Sequence, residues 1–123
     1  MKRNFDLIKK ILLKFEELPL NHNENEIIVD GFSKDEVIYN VFLLAEANLV
    51  EIQDASSFDG KDFLPERLTW EGHEFLDNIR NENIWNNIKT FISSKGGDIA
   101  FSVLRALAEA KSKELFGLKS WGV

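Results

Sequence analysis

LTWEGHEFLDNIR, residues 68–80, decides how the rest of the chain is read. Within it, His73-Glu74-Phe75-Leu76-Asp77 is one letter away from the H-E-x-x-H pattern of zinc peptidases. On a helix the i, i+4 spacing puts His73 and Asp77 on one face, with Glu74 in the position of a general base. A catalytic zinc needs three protein ligands, however, and imidazole supplies most of the affinity. The chain has two histidines, and the other, His22, lies in a distant polar turn. Nothing downstream supplies a third ligand at a suitable spacing.

The stretch reads better as the capped start of a helix. At about 100° per residue, Phe75, Leu76 and Ile79 share one face with Gly72 beside them, while His73, Asp77 and Arg80 lie on the far side. Thr69 is the N-cap, and Glu71 and Arg80 suit the two ends of the helix dipole. Glycine costs roughly 1 kcal/mol of helix propensity against alanine. Its place on the inward face implies a close approach to the sheet or to helix 4–18. His73 and Asp77 are then a surface i, i+4 pair. No metal, cofactor or enzymatic activity is expected.

Working outward, two strands flanking a mobile polar tip precede this helix. Leu49-Val50-Glu51-Ile52 and Phe63-Leu64 are the apolar runs, and residues 54–62 are the tip. Ser33-Lys34-Asp35-Glu36 matches a capping box and opens a helix over 33–48, buried on Val37, Ile38, Val41, Phe42, Leu44 and Ala45. Before it come a helix over 4–18, stopped by Pro19, a polar turn at 21–25, and a β-branched strand at 26–30 closed by Gly31. After it come a helix over 84–94, ended by Gly96-Gly97, and a last helix over 98–115 with Asp98 as N-cap. A tail with Gly117, Trp121 and Gly122 follows. Trp70, Trp85 and Trp121 are expected as core or interface anchors.

The order helix, strand, helix, hairpin, helix predicts an α+β, mostly helical chain with a winged-helix-like domain over 1–81. Residues 82–123 form a C-terminal helical extension packed on it, a candidate dimerisation element. The helix over 33–48 directly precedes the hairpin and so occupies the recognition-helix slot.

Three stretches resemble a known family: MKRNFDLIKKILLKFEE at the start, VDGFSKDEVIYNVFLLAEANLVE in the middle and LTWEGHEFLDNIRNENIW after the hairpin. The family consists of short, uncharacterised proteins common in bacteriophages, prophages and other mobile elements, catalogued only as a domain of unknown function. The resemblance implies a winged-helix-like fold and a phage or prophage setting, and no catalytic residues. The sequence departs from the pattern at Asn40, where a histidine is common, and at Asn48, where glycine usually ends the helix.

Composition narrows the function further. The 123 residues contain ten Phe and three Trp, enough for a core, and no cysteine, which excludes disulfides and thiolate metal sites. No apolar run approaches a membrane span and the start does not resemble a signal peptide, so a cytoplasmic protein is expected. The net charge of −6 is concentrated in residues 33–67, where three cations meet eight anions. The helix over 33–48 carries Lys34 against Asp35, Glu36 and Glu46, and the tip carries Lys61 against Asp54, Asp59 and Asp62. Such a surface repels a duplex, although Tyr39 and Asn40 are the right kind of residues to touch bases. The best basic cluster, Lys2, Arg3, Lys9, Lys10 and Lys14, lies on the first helix.

The expected activity is therefore regulatory protein–protein interaction with a host or phage protein. The candidate surface is Asp35, Glu36, Tyr39, Asn40, Glu46, Asp54, Asp59 and Asp62. The alternative is a dimeric DNA-binding transcriptional regulator of winged helix-turn-helix type. The last helix is apolar around most of its circumference. Ile99, Val103, Leu104, Leu107 and Ala108 are its candidate homodimer residues, against a purely internal core helix.

Overall fold

The computed structural model describes residues 1–117; Trp121 and Gly122 lie outside the described residues. The elements are α1 (Phe5–Glu16), α2 (Lys34–Glu46), β1 (Val50–Asp54), β2 (Phe63–Leu68), α3 (Trp70–Ile79), α4 (Glu82–Ser94) and α5 (Phe101–Leu115). The chain is α+β and mainly helical, with its helices and hairpin in the order expected from the sequence. It divides into two compact units, Met1–His73 and Glu74–Val123, with the division inside α3.

In the first unit, α1 buries Leu7, Ile8, Ile11, Leu12 and Phe15, the stripe set by its helical period. Asn4 caps it, its side chain accepting the Leu7 N–H at 3.0 Å. Lys9, counted in the basic cluster of the first helix, is buried at 6% exposure. Residues 26–30 alternate as a strand would, with Ile27 and Val29 buried and Ile28 exposed. Yet the sheet is two-stranded, β1 against β2, so this run is extended chain outside the ladder. A period of two reports which face is buried, and does not by itself specify a hydrogen-bonded neighbour.

The capping box on α2 is present in both halves: Glu36 N–H donates to Ser33 Oγ at 3.1 Å and Ser33 N–H to Glu36 Oε1 at 3.0 Å. The helix ends where Asn48 takes a left-handed conformation, φ 62°. Leu49 N–H then reaches back to the Leu44 carbonyl (2.9 Å) and Asn48 N–H to that of Ala45 (3.0 Å). This is the Schellman arrangement, completed by the burial of both Leu44 and Leu49. Asparagine is one of the few residues that tolerates this backbone, which is why it can stand where glycine is usual.

The strands pair antiparallel with a bulge: Glu51 opposes Arg67, but Ile52 opposes Pro65, leaving Glu66 out of register. Arg67 grips Glu51 with two hydrogen bonds, at 2.8 and 3.0 Å. Where a mobile tip was expected, pairing continues outward. Ala55 N–H donates to the Asp62 carbonyl, and Ser57 and Gly60 exchange both backbone hydrogen bonds around a tight turn. Gly60, at φ 127°, supplies the backbone that closes it.

The second unit holds the rest of α3 with α4 and α5. Its core contains Phe75, Leu76, Ile79, Ile84, Trp85, Ile88, Ile92, Leu104 and Ala108. Phe75 meets Phe101 in a tilted ring contact, centroids 5.1 Å apart, and Ser112 Oγ donates to the Asn78 carbonyl at 3.0 Å. Asn81 caps α4 through the Ile84 N–H. Gly97 N–H returns to the Ile92 carbonyl to end that helix, as the Gly-Gly pair implied. Phe91 is 40% exposed. Asp98 is not the cap of α5: the helix starts at Phe101, with Ala100 in the cap position and no side-chain bond there.

Candidate functional site

The segment with the zinc-like spacing shows what its residues do. Thr69 Oγ1 accepts the Gly72 N–H at 3.0 Å and donates to the Asn48 carbonyl at 2.6 Å. One hydroxyl therefore caps α3 and ties it to the corner between α2 and β1. A Cβ on Gly72 would overlap the Leu49 carbonyl oxygen, so the close approach is to the backbone of that corner. Asp77 gives its carboxylate to Arg80 at 2.9 Å, and His73 is exposed. Among the described residues no group of three His, Cys, Asp or Glu is arranged to hold a metal ion.

The acidic residues proposed from the sequence separate into two groups. Asp35, Tyr39 and Glu46 recur at helical spacing on α2, on one stripe with Phe42 between Tyr39 and Glu46. Asp35 and Glu46 are exposed, and Tyr39 is 39% exposed. Glu36 is half-buried and holds the capping box. Asn40 leaves the surface altogether: it is 1% exposed. Its Oδ1 accepts the Asn4 N–H at 3.0 Å, and its Nδ2 donates to the carbonyls of Glu36 (2.9 Å) and Lys2 (3.4 Å). The residue fastens the start of α1 to α2 and cannot face a partner.

Asp54, Asp59 and Asp62 are brought together at the hairpin tip by two serines. Ser56 N–H donates to Asp54 Oδ1 (2.9 Å), and Asp62 N–H donates to Ser56 Oγ (3.1 Å). Asp59 N–H donates to Ser57 Oγ (3.2 Å). The hydrogen bonds from Ser56, aided by Lys61, hold the Asp54 carboxyl below the ordinary aspartate value. Lys61 lies over the Phe42 ring at 4.8 Å, and Phe42 meets Phe63 edge to face at 6.4 Å. These contacts join the tip to the outer stripe of α2.

Phe58 was not singled out from the sequence, and it is the most conspicuous residue of the tip. It occupies the turn between Ser57 and Gly60 with its side chain fully exposed. A lone aromatic inside a Ser/Asp/Gly tip was the available clue.

An open groove of about 1020 Å³ lies on another side of this unit, lined by residues that include Leu18, Leu20, Glu24, Glu51, Leu64 and Glu66. His22 spans part of it. Its Nδ1 accepts the Glu24 N–H (3.2 Å) and its Nε2 donates to the carbonyl of the bulged Glu66 (3.1 Å), which assigns the neutral Nε2–H tautomer.

The candidate dimer residues on and just before α5 also separate. Leu104 and Ala108 are fully buried, Ile99 and Leu107 half-buried, and Val103 is 49% exposed. No helix among the described residues is long and apolar enough to cross a membrane.

Residues 2–98 match the family model described as "Hypothetical protein (DUF2513)". An uncharacterized protein of Haemophilus influenzae is 40% identical over 112 residues, which covers 89% of this chain and 93% of that protein. No solved structure matches.

Proposed function

The chain belongs to the DUF2513 family of hypothetical proteins, and we propose that it is a non-enzymatic regulatory protein that acts by binding another protein through a winged-helix-like unit. The observation that carries this reading is Phe58. Leaving a phenylalanine in water forgoes about 1.5–3 kcal/mol of burial. Here the ring is presented at the apex of a turn closed by backbone and serine hydrogen bonds. A pre-ordered aromatic loses little conformational freedom on docking and is a typical interface anchor. The surrounding Asp54, Asp59 and Asp62 favour a partner whose pocket has a basic rim. The phage or prophage setting rests on the resemblance of the three sequence stretches, and a cytoplasmic location accompanies it.

The second reading, a dimeric DNA-binding regulator, is favoured by the element order and by exposed Lys2, Arg3, Lys10 and Lys14. Against it, Lys34 is the one cation of α2, and Asn40, a proposed base contact, is buried. A mobility-shift assay over a range of salt concentrations separates the two, using random duplex and DNA upstream of the gene. No shift is expected. Tight binding that weakens steeply with salt would overturn the protein-binding reading.

A further inference from the structure

We propose that His22 is a pH-sensitive clasp: its neutral ring fixes the polar turn against the bulge of β2, and its protonated ring lets residues 23–25 go. Little else holds this turn. Leu20, just before it, is 93% exposed, and Asn21, Asn23, Glu24 and Asn25 are exposed, whereas His22 is half-buried. The ring accepts the Glu24 N–H at 3.2 Å and donates to the Glu66 carbonyl at 3.1 Å. Among the described residues, 19–26 make no other hydrogen bond. One imidazole therefore both shapes the turn and ties it to the sheet.

The two ring nitrogens have fixed and opposite roles. A backbone amide only donates, so Nδ1 must carry a lone pair, and a carbonyl only accepts, so Nε2 must carry the hydrogen. Of imidazole's two neutral tautomers and its cation, only the Nε2–H tautomer satisfies both neighbours. The cation keeps a donor for the Glu66 carbonyl but sets an Nδ1–H against the Glu24 N–H, donor against donor. Other acceptors are close by. The groove that His22 lines also holds Glu16 from α1, Glu24 from the turn, Glu51 from β1 and Glu66 from β2. Its other charged or titratable groups are Arg67, which is bonded to Glu51, and His73 at the start of α3. An Nδ1–H that has lost its place at Glu24 thus has carboxylates to turn toward. Asn23, Glu24 and Asn25 form part of the groove wall, so the groove changes shape when the clasp opens.

The test is NMR of the full, ¹⁵N-labelled chain, titrated from about pH 8 to about pH 5, the range in which imidazole takes up a proton. At the upper end, the ring nitrogens of His22 should show the hydrogen on Nε2. As pH falls, the Glu24 amide should shift with the same midpoint as the ring, and the heteronuclear NOEs of residues 23–25 should drop. His22→Gln, which does not titrate, should abolish this transition. His73→Gln should leave it in place. A neutral ring with its hydrogen on Nδ1 overturns the proposal, as does a Glu24 amide that does not follow the ring. So does a transition that survives in His22→Gln or vanishes in His73→Gln.

Discussion

Gly72 touches the Leu49 carbonyl so closely that a Cβ on Gly72 would overlap the oxygen, and the same oxygen accepts the Thr69 N–H at 3.1 Å. The start of α3 is thereby held backbone to backbone against the corner that ends α2 and begins β1. Gly72→Ala sets two effects against each other. Helix propensity favours alanine by about 1 kcal/mol. Overpacking costs about 1–3 kcal/mol or more, and the obstructing atom is a backbone carbonyl that cannot swing aside. The clash wins, and we expect a net loss of about 2 kcal/mol in urea unfolding followed by circular dichroism. Thr69→Val at the neighbouring cap should cost a similar amount, because it strands the Gly72 N–H and the Asn48 carbonyl. An alanine variant as stable as the wild type would show that the corner yields.

Asn40 is the residue whose role the structure changes most. Its amide is polar at both ends, with oxygen toward the Asn4 N–H and nitrogen toward the Glu36 and Lys2 carbonyls. In Asn40→Asp an ionised oxygen would face those carbonyls in a buried position. That raises the carboxyl's folded-state pKa above its unfolded value. The folded state then binds the proton more tightly, so the variant should be least stable at neutral pH and regain stability as pH falls into the carboxyl range. The wild type lacks this acid-side recovery at position 40. Parallel melts of both proteins between neutral and mildly acid pH measure the difference, and superimposable pH dependences would refute it.

Asp54 works in the opposite sense. Hydrogen bonds from Ser56 hold its carboxyl below the ordinary aspartate value. A lowered folded-state pKa contributes to order above the unfolded value and is lost as pH falls through the folded one. Ser56→Ala should therefore move the Asp54 carboxyl toward the ordinary value, read by NMR titration of its side-chain carbon. The tip amides of residues 55–62 should lose dispersion at a higher pH than in the wild type. Asp54 is exposed, so global stability should change little.

Much of this architecture was legible because its causes are local. The capping box at Ser33 and Glu36, the cap at Thr69, the Gly96-Gly97 stop and the inward face of Phe75, Leu76 and Ile79 each follow from residues within one or two turns. The inward glycine at 72 was readable too, although its neighbour, the Leu49 carbonyl, was not. What stayed hidden depends on distant partners. Residues 26–30 alternate like a strand but stand outside the sheet, Asn40 finds bonds 36 and 38 residues away, and Lys9 is buried. Of the candidate surface, Asp35, Glu46, Asp54 and Asp59 were chosen for their charge, and all four are exposed. Phe58 escaped because an exposed aromatic leaves no periodic trace.

Phe58 yields the sharpest functional prediction, since stability and binding should part company there. The ring is fully exposed and the turn is closed by Ser57 and Gly60, so Phe58→Ser should shift unfolding by no more than about 0.5 kcal/mol. If the ring is the anchor, the same change should weaken partner binding by about 2 kcal/mol or more, roughly thirtyfold. Asp59→Asn beside it should act mainly on the association rate and lessen its salt dependence, because a rim charge steers more than it holds. Affinity capture from host lysate with wild-type and Phe58→Ser baits identifies proteins retained only by the former. Surface plasmon resonance on such a protein then separates the two effects. Equal retention by both baits, with equal dissociation rates, would remove the tip from the binding surface and leave the α2 stripe of Asp35, Tyr39 and Glu46 to be tested in its place.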